Sequence, residues 1–279
     1  MTQGYYTRAA DAMFGRSQPM GSNSSRTAVF SIAAGIILMF LAGPLLKLAA
    51  TSDPGLLLGA FTDQEVIRAI WLSITAAAWA TAIGVALGLP LAYLLARHEF
   101  RGKAIVEGLI DLPIVVPHPI AGIALLFVFG RGFFAGRVFS LMGVQFAGAV
   151  PGIIIAMIFV SAPFLINAAR DGFRAVDPRL EGVARTLGRG PWAAFFGVTV
   201  PLARGAIVSG AVMMWARAVS EFGAVVVLAY YPMTAPVLIY DRFEGFGLSA
   251  AQPVAAAVVI IALTLFAALR WMNLRERTE

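Results

Sequence analysis

Residues 28–46 and 69–96 carry no charged side chain over 19 and 28 positions, respectively. An uncharged apolar run of about 20 residues is the length of helix that crosses a bilayer. In hydrocarbon every backbone N–H and C=O must find its partner within the protein, so such a run specifies a helix. A third uncharged run, 138–169, spans 32 residues. That is too long for one simple crossing, so its start reads as a loop or interfacial segment and the crossing as 150–169. Further crossings are expected at 104–130, 204–228 and 252–269. The chain therefore predicts an all-α, polytopic membrane protein of about six transmembrane helices. Composition agrees: 13% of residues are charged and 59% hydrophobic, against about 25% charged in an ordinary soluble domain.

The remaining segments set topology. Residues 1–27 read as a polar cytoplasmic tail without an apolar core long enough for a signal peptide. The transmembrane domain covers 28–271, and 272–279 form a charged tail. Between the first two runs lies a mixed loop with Asp53, Pro54, Asp63 and Glu65. With the N-terminus inside, fifteen Lys and Arg fall on cytoplasmic segments and five outside, Arg217 lying within a span. This bias places both termini and the segment 177–201 in the cytoplasm of a cell (inner) membrane protein. It also accounts for the net charge of +6 without nucleic acid. There are no cysteines and only two histidines, His98 and His118, so thiolate and histidine-cluster metal sites are not expected.

Segment 177–201 lies between two crossings and spans nothing itself. Asp177 followed by Pro178 is a helix start, an acidic N-cap before proline at the first helical position. Leu180, Val183, Ala184 and Leu187 form one apolar stripe, with Glu181 and Arg185 a turn apart on the polar side. Gly188 ends this helix, since glycine takes the left-handed conformation without strain. Gly190 and Pro191 start a second short helix with Trp192, Phe195 and Phe196, ending at Pro201. Such a helix either rests on lipid or docks in a groove of a soluble partner.

Two features stand out at membrane depth. Pro113, Pro117 and Pro119 break the third crossing, and broken backbone is tolerated there only against protein or a wet cavity. His118, between two of these prolines, reads as a packed or kink-stabilising residue, with a ligand role as the alternative. Arg217 and Glu221, four apart, are the charged pair expected inside a span and on one helix face. They are either a structural ion pair or, with Ser220, Phe222 and Gly223, part of a pathway or gate. No paired carboxylates are expected within the spans. The outer loops, 47–66 and 230–250, offer Asp53, Asp63, Glu65, Asp241, Arg242 and Glu244 for contacts with an outside partner.

The stretch ARTLG at 184–188, followed by Val198, Val200 and Pro201, resembles the cytoplasmic EAA loop of ABC importer permeases. The family's Glu-Ala-Ala is replaced by Gly182, Val183 and Ala184, with Glu181 one residue earlier. DLPIVVPHPIAGIALLFVFG, EGVARTLG and WARAVSEFGAVVVLAYYPMTAPVLIY are similar to stretches of molybdate/tungstate importer permeases, over about 66–269. The resemblance implies the type I ABC importer permease fold with a cytoplasmic coupling helix. It implies a homodimer, two ATPase subunits inside, and one extracytoplasmic oxyanion-binding protein. The residues it offers for ATPase coupling are Glu181, Ala184, Arg185, Gly188, Pro191 and Pro201; for the pathway, Arg217, Ser220, Glu221, Phe222, Gly223, Pro117 and His118. The chain itself has no P-loop, so ATP and Mg would be used by the partner. It also lacks the H-E-x-x-H and G-x-S-x-G motifs, and no enzyme site is expected. The alternatives are a sulfate/thiosulfate permease and, in a different class, a secondary transporter or channel, which predicts inverted repeats.

Overall fold

The computed structural model describes residues 24–275, with side chains described over 27–264. Most of the expected N-terminal tail and residues 276–279 lie outside the described residues. Every regular element among those described is a helix. The chain divides into two compact units, residues 1–52 and 53–279. The first holds α1, Ser24–Ala50, an apolar helix of crossing length. Ser52 and Thr51 return their hydroxyls to Leu48 O and Lys47 O at its end.

In the second unit the expected mixed loop is already helical. Asp53 accepts from Leu56 N at 3.0 Å and caps α2, Pro54–Thr62, with proline in its first turn. Asp63 then accepts from Glu65 N at 2.8 Å and caps α3, Gln64–Arg97. The buried face of α3 is Ala69, Ser73, Ala76, Ala77, Ala80, Gly84, Gly88 and Ala92. Between membrane helices there is no water to expel, so small residues that let backbones approach carry the packing. A Cβ on Gly84 would lie 2.4 Å from Met214 Cε.

The third crossing is not a continuous helix. α4, Lys103–Val115, and α5, His118–Phe129, meet at 116°. Val116 is extended at the joint, as a residue before proline prefers. A short α6, Phe134–Leu141, occupies the segment expected to precede the fourth crossing. α7, Val150–Ala175, is central: Ile153, Ala156, Met157, Val160, Leu165, Ala169 and Phe173 are all buried.

After α7 come α8, Pro178–Thr186, and α9, Pro191–Ala194, and then a five-residue π-turn, Phe195–Thr199. α10, Val200–Val219, continues from it, so that one helix of 29 residues runs from Pro191 to Val219. The helix that carries the fifth expected crossing thus starts earlier than expected and stops before Ser220. α11, Gly223–Leu228, and α12, Ala235–Phe246, follow. The outer loop expected at 230–250 is therefore largely helical. α13, Leu248–Arg275, covers the sixth expected crossing. Ala235 N donates to Ser73 Oγ at 2.8 Å, which seats the start of α12 on α3.

Candidate functional site

The segment between α7 and α10 is built by local rules. Asp177 Oδ1 accepts from Arg179 N at 2.9 Å, and Pro178 opens α8. Gly188 has φ +86°. Its N–H reaches Arg185 O at 3.0 Å, and Arg189 N–H reaches Ala184 O at 3.1 Å. This pair of bonds closes a helix end through a left-handed residue. Pro201 does not end the second helix. The π-turn shifts the hydrogen-bond register just upstream, with Val200 N–H bonded to Phe195 O. Pro201, lacking an N–H, sits in the first turn of α10 without breaking it.

Glu181 does not pair with Arg185. It turns inward, its side chain only 15% exposed. Oε2 accepts from Tyr93 Oη at 2.6 Å. Oε1 accepts from Arg97 Nη2 at 2.7 Å, Arg97 Nε at 2.9 Å and Thr199 Oγ1 at 2.8 Å. Arg97 Nη1 continues to Val176 O at 2.9 Å. Tyr93 is held edge-on to Phe173 and Phe195. One carboxylate therefore ties α8 to the last turn of α3, the end of α7 and the π-turn below α10. Burial raises the Glu181 carboxyl, but the bonds from Tyr93, Thr199 and Arg97 outweigh it and leave the group below its ordinary value.

Of the apolar stripe of α8 only Ala184 is buried. Leu180, Val183 and Leu187 are exposed, as are Trp192 and Phe196 beyond the joint. Arg185 and Pro191 are also exposed.

The second group gathers where two helices are interrupted. Arg217 lies in the last turn of α10, Ser220 caps that end, Glu221 falls in the break and Phe222 precedes α11. Arg217 and Glu221 thus do not share one continuous helix face, because the helix ends between them. The ion pair nonetheless forms, with Nη2 2.7 Å from Oε2. Glu221 is fully buried, and its Oε1 accepts from Ala224 N at 2.9 Å. His118, the first residue of α5, completes the cluster. Its Nδ1 lies 3.4 Å from Glu221 Oε2, and Arg217 Nη2 is 2.9 Å from each ring nitrogen. A Cβ on Gly223 would lie 2.7 Å from His118 Cβ and 3.1 Å from Pro119 Cδ. Only glycine lets the two helix starts meet this closely. Phe222 turns away from the cluster onto Tyr240.

The charges of the loops expected outside are largely engaged within the chain. Arg242 Nη2 bridges Asp63 at 2.6 Å and Glu65 at 3.0 Å. The hydrogen bond from Arg242 holds the Asp63 carboxyl below its ordinary value. Tyr230 donates to Asp241 at 2.7 Å, which, with burial, pushes the phenol up to about 12. Asp53 is a helix cap. Glu244 is exposed.

Sequence reasoning passed over two carboxylates, Glu107 and Asp111, inside the stretch expected to be the third crossing. They lie four apart on α4, but each is held by its own partner on α7 rather than by the other. Glu107 accepts from Arg174 at 2.9 Å and Arg170 at 3.4 Å, and Asp111 from Asn167 at 2.6 Å, joining α4 to α7. The signal was their own spacing of four residues, which puts both on one face of α4.

Residues 84–278 match the family described as the binding-protein-dependent transport system inner membrane component. The molybdate/tungstate transport system permease protein WtpB of Thermococcus kodakarensis is 43% identical over 88% of this chain and 94% of its own. The protein of the same name from Pyrococcus furiosus is 46% identical over 77% and 81%. Among solved structures, a bacterial alginate ABC transporter in complex with an alginate pentasaccharide-bound periplasmic protein contains a similar chain. That chain superposes with a TM-score of 0.67 at 19% identity, covering 88% of this chain and 93% of its own.

Proposed function

This chain belongs to the family of binding-protein-dependent transport system inner membrane components, and we propose that it is the transmembrane permease subunit of an ATP-driven importer for molybdate and tungstate. It is a non-catalytic membrane subunit. A second copy completes the transmembrane unit, two ATPase subunits dock from the cytoplasm, and an extracytoplasmic protein delivers the oxyanion. Both termini are cytoplasmic, a reading supported by the bias of Lys and Arg.

The observation that carries the coupling role is the outward apolar face of α8. Leu180, Val183 and Leu187 are exposed on a helix flanked by crossings, the pattern of an amphipathic helix that enters a groove. Arg185, Gly188 and Pro191 form its outer side and joint, and make the docking contacts and orient them. Glu181 and Ala184, on the inner side, and Pro201 in the continuing helix transmit movement rather than touch the ATPase. The cluster about Arg217, with Pro117, His118, Ser220, Glu221, Phe222 and Gly223, is the polar feature available to the path. The choice of molybdate or tungstate is supported by the two relatives of that name.

The test is reconstitution in proteoliposomes with the ATPase and binding protein of the same source. Uptake of tungstate and molybdate should require internal ATP and the binding protein, and a large excess of sulfate should compete weakly. A preference for sulfate would overturn the substrate assignment.

A further inference from the structure

Two independent interruptions meet at one place in this chain. The break between α4 and α5 presents His118, and the break between α10 and α11 presents Arg217, Ser220 and Glu221. Broken helices at membrane depth persist where they are buried in protein or line a wet cavity, and paired breaks are one way of making a site there. The charge arrangement is unusual for a purely structural pair. Glu221 is wholly buried and both its oxygens are engaged, one by Arg217 Nη2 and one by Ala224 N. Arg217 is not spent in the same way. Its side chain is 22% exposed, and Nη1 makes only a long contact of 3.4 Å to Ser220 Oγ. Ser220 and the flanking Pro117 and Pro119 are exposed. The one hydroxyl proton of Ser220 goes to Arg217 O at 3.1 Å and would turn from there to an anion, while the guanidinium edge opens outward and the carboxylate stays behind it.

We propose that Arg217, Ser220 and His118 form a weak binding site for a tetrahedral oxyanion, and that Glu221 is a built-in counterion that keeps this site from holding its ligand. The proposal rests on the permease reading. A guanidinium edge beside a hydroxyl suits an oxyanion, which accepts several charge-assisted bonds at once. A bare arginine at depth would bind a dianion too firmly for passage. With Glu221 fixed behind it, the arginine offers hydrogen-bond geometry with most of its charge cancelled. The arrangement predicts a gain of affinity when the acid is removed, which a structural ion pair does not.

The experiment uses the full-length permease assembled with its ATPase subunits in nanodiscs, without binding protein, titrated with sodium tungstate at constant ionic strength. Glu221→Gln keeps an acceptor for Ala224 N but removes the charge. It should bind tungstate about tenfold more tightly than the unaltered protein, since one nearby unit charge is worth about that factor after screening. The same variant should import more slowly in proteoliposomes. Arg217→Gln should lose tungstate binding, alone or combined with Glu221→Gln. Ser220→Ala, at an exposed position, should weaken binding about threefold with an unchanged thermal midpoint. Glu221→Gln that assembles normally yet binds tungstate no better than the unaltered protein would overturn the proposal. If that variant does not assemble, unchanged binding in Ser220→Ala overturns it instead. Unaltered complex whose ATPase is stimulated but which neither binds nor moves tungstate or sulfate would fail the oxyanion reading itself; normal import with binding insensitive to these variants fails only this site.

Discussion

The Glu181 carboxylate joins α8 to the last turn of α3 and to the π-turn before α10. Its position on α8 follows from the helical repeat, but the repeat does not say what lies on that side. Its partners Tyr93 and Arg97 come from a helix more than eighty positions earlier in the chain. Because Arg97 is only 9% exposed, Glu181→Ala leaves a largely buried guanidinium with no counter-charge, only Val176 O and the Tyr93 ring. Removing one partner of such a pair costs about 3 kcal/mol, and the thermal midpoint of the purified protein should fall accordingly. The pH dependence has a definite sign. The folded carboxyl is depressed below its ordinary 4.5, so its contribution is complete above that pH and is lost as pH falls through the lower, folded value. Melting curves of the native protein and Glu181→Gln should therefore stay apart at neutral pH and converge below about 4.5. A difference that persists unchanged at lower pH would mean that the charge on Glu181 does not matter. Glu107 and Asp111 differ: their spacing is legible in the sequence, but their partners Arg170, Arg174 and Asn167 lie on α7, more than fifty positions away.

At the scale of elements, what could be read in advance was what backbone chemistry dictates locally. The left-handed Gly188, the Asp177 cap with first-turn Pro178 of α8 and the break at Pro117 each depend on residues within one turn. The π-turn at Phe195–Thr199 was not legible, because it depends on Thr199 finding Glu181 and Tyr93 packing on Phe195. For that reason Pro201 reads as a stop when it is a tolerated first-turn proline. The same logic gives a test of the joint. Gly188→Val forces a β-branched residue into the left-handed region at a cost of about 1–3 kcal/mol. α8 should reorient, while the buried faces of α3, α7 and α10 are untouched. The expected result is normal membrane insertion with loss of binding-protein-stimulated ATP hydrolysis. Gly188→Asn, which tolerates that conformation better, should keep most of the stimulation. Equal loss in both variants would point to the missing flexibility of glycine rather than to its handedness. A second test concerns the π-turn: Thr199→Val removes the hydroxyl that Glu181 accepts, and should lower the number of oxyanions imported per ATP consumed while leaving assembly with the ATPase intact.

For the whole molecule, hydropathy orders the apolar segments but does not shape them: against about six expected crossings, four helices among the described residues are long and apolar enough to cross a membrane, or five if the bent pair α4 and α5 is one span. Hydropathy counts residues along the chain, and the 116° turn between α4 and α5 or the helix start at Pro191 changes neither count nor composition. The loops expected outside repeat the point. Six charges were available for a rim contact, but pairing inside the chain engages Asp53, Asp63, Glu65, Asp241 and Arg242. Arg242 thereby fastens α12 to the start of α3, and Glu244, one turn past Tyr240, is left exposed on the same helix. The two kinds of charge should separate experimentally. Arg242→Ala leaves Asp63 and Glu65 facing each other without their cation, and should lower the thermal midpoint whether or not binding protein is present. Glu244→Arg has no such partner to lose and should leave the midpoint unchanged. If the outer helix receives the loaded binding protein, its effect will lie in encounter. Rim charges act mainly on association rate, and salt screens them within about 10 Å at 0.1 M. Stimulated ATP hydrolysis should then need about threefold more binding protein in Glu244→Arg than in the native protein at low salt, with the difference gone near 0.5 M salt. An identical concentration dependence at both salt levels would place the docking of the binding protein on another part of the outer surface.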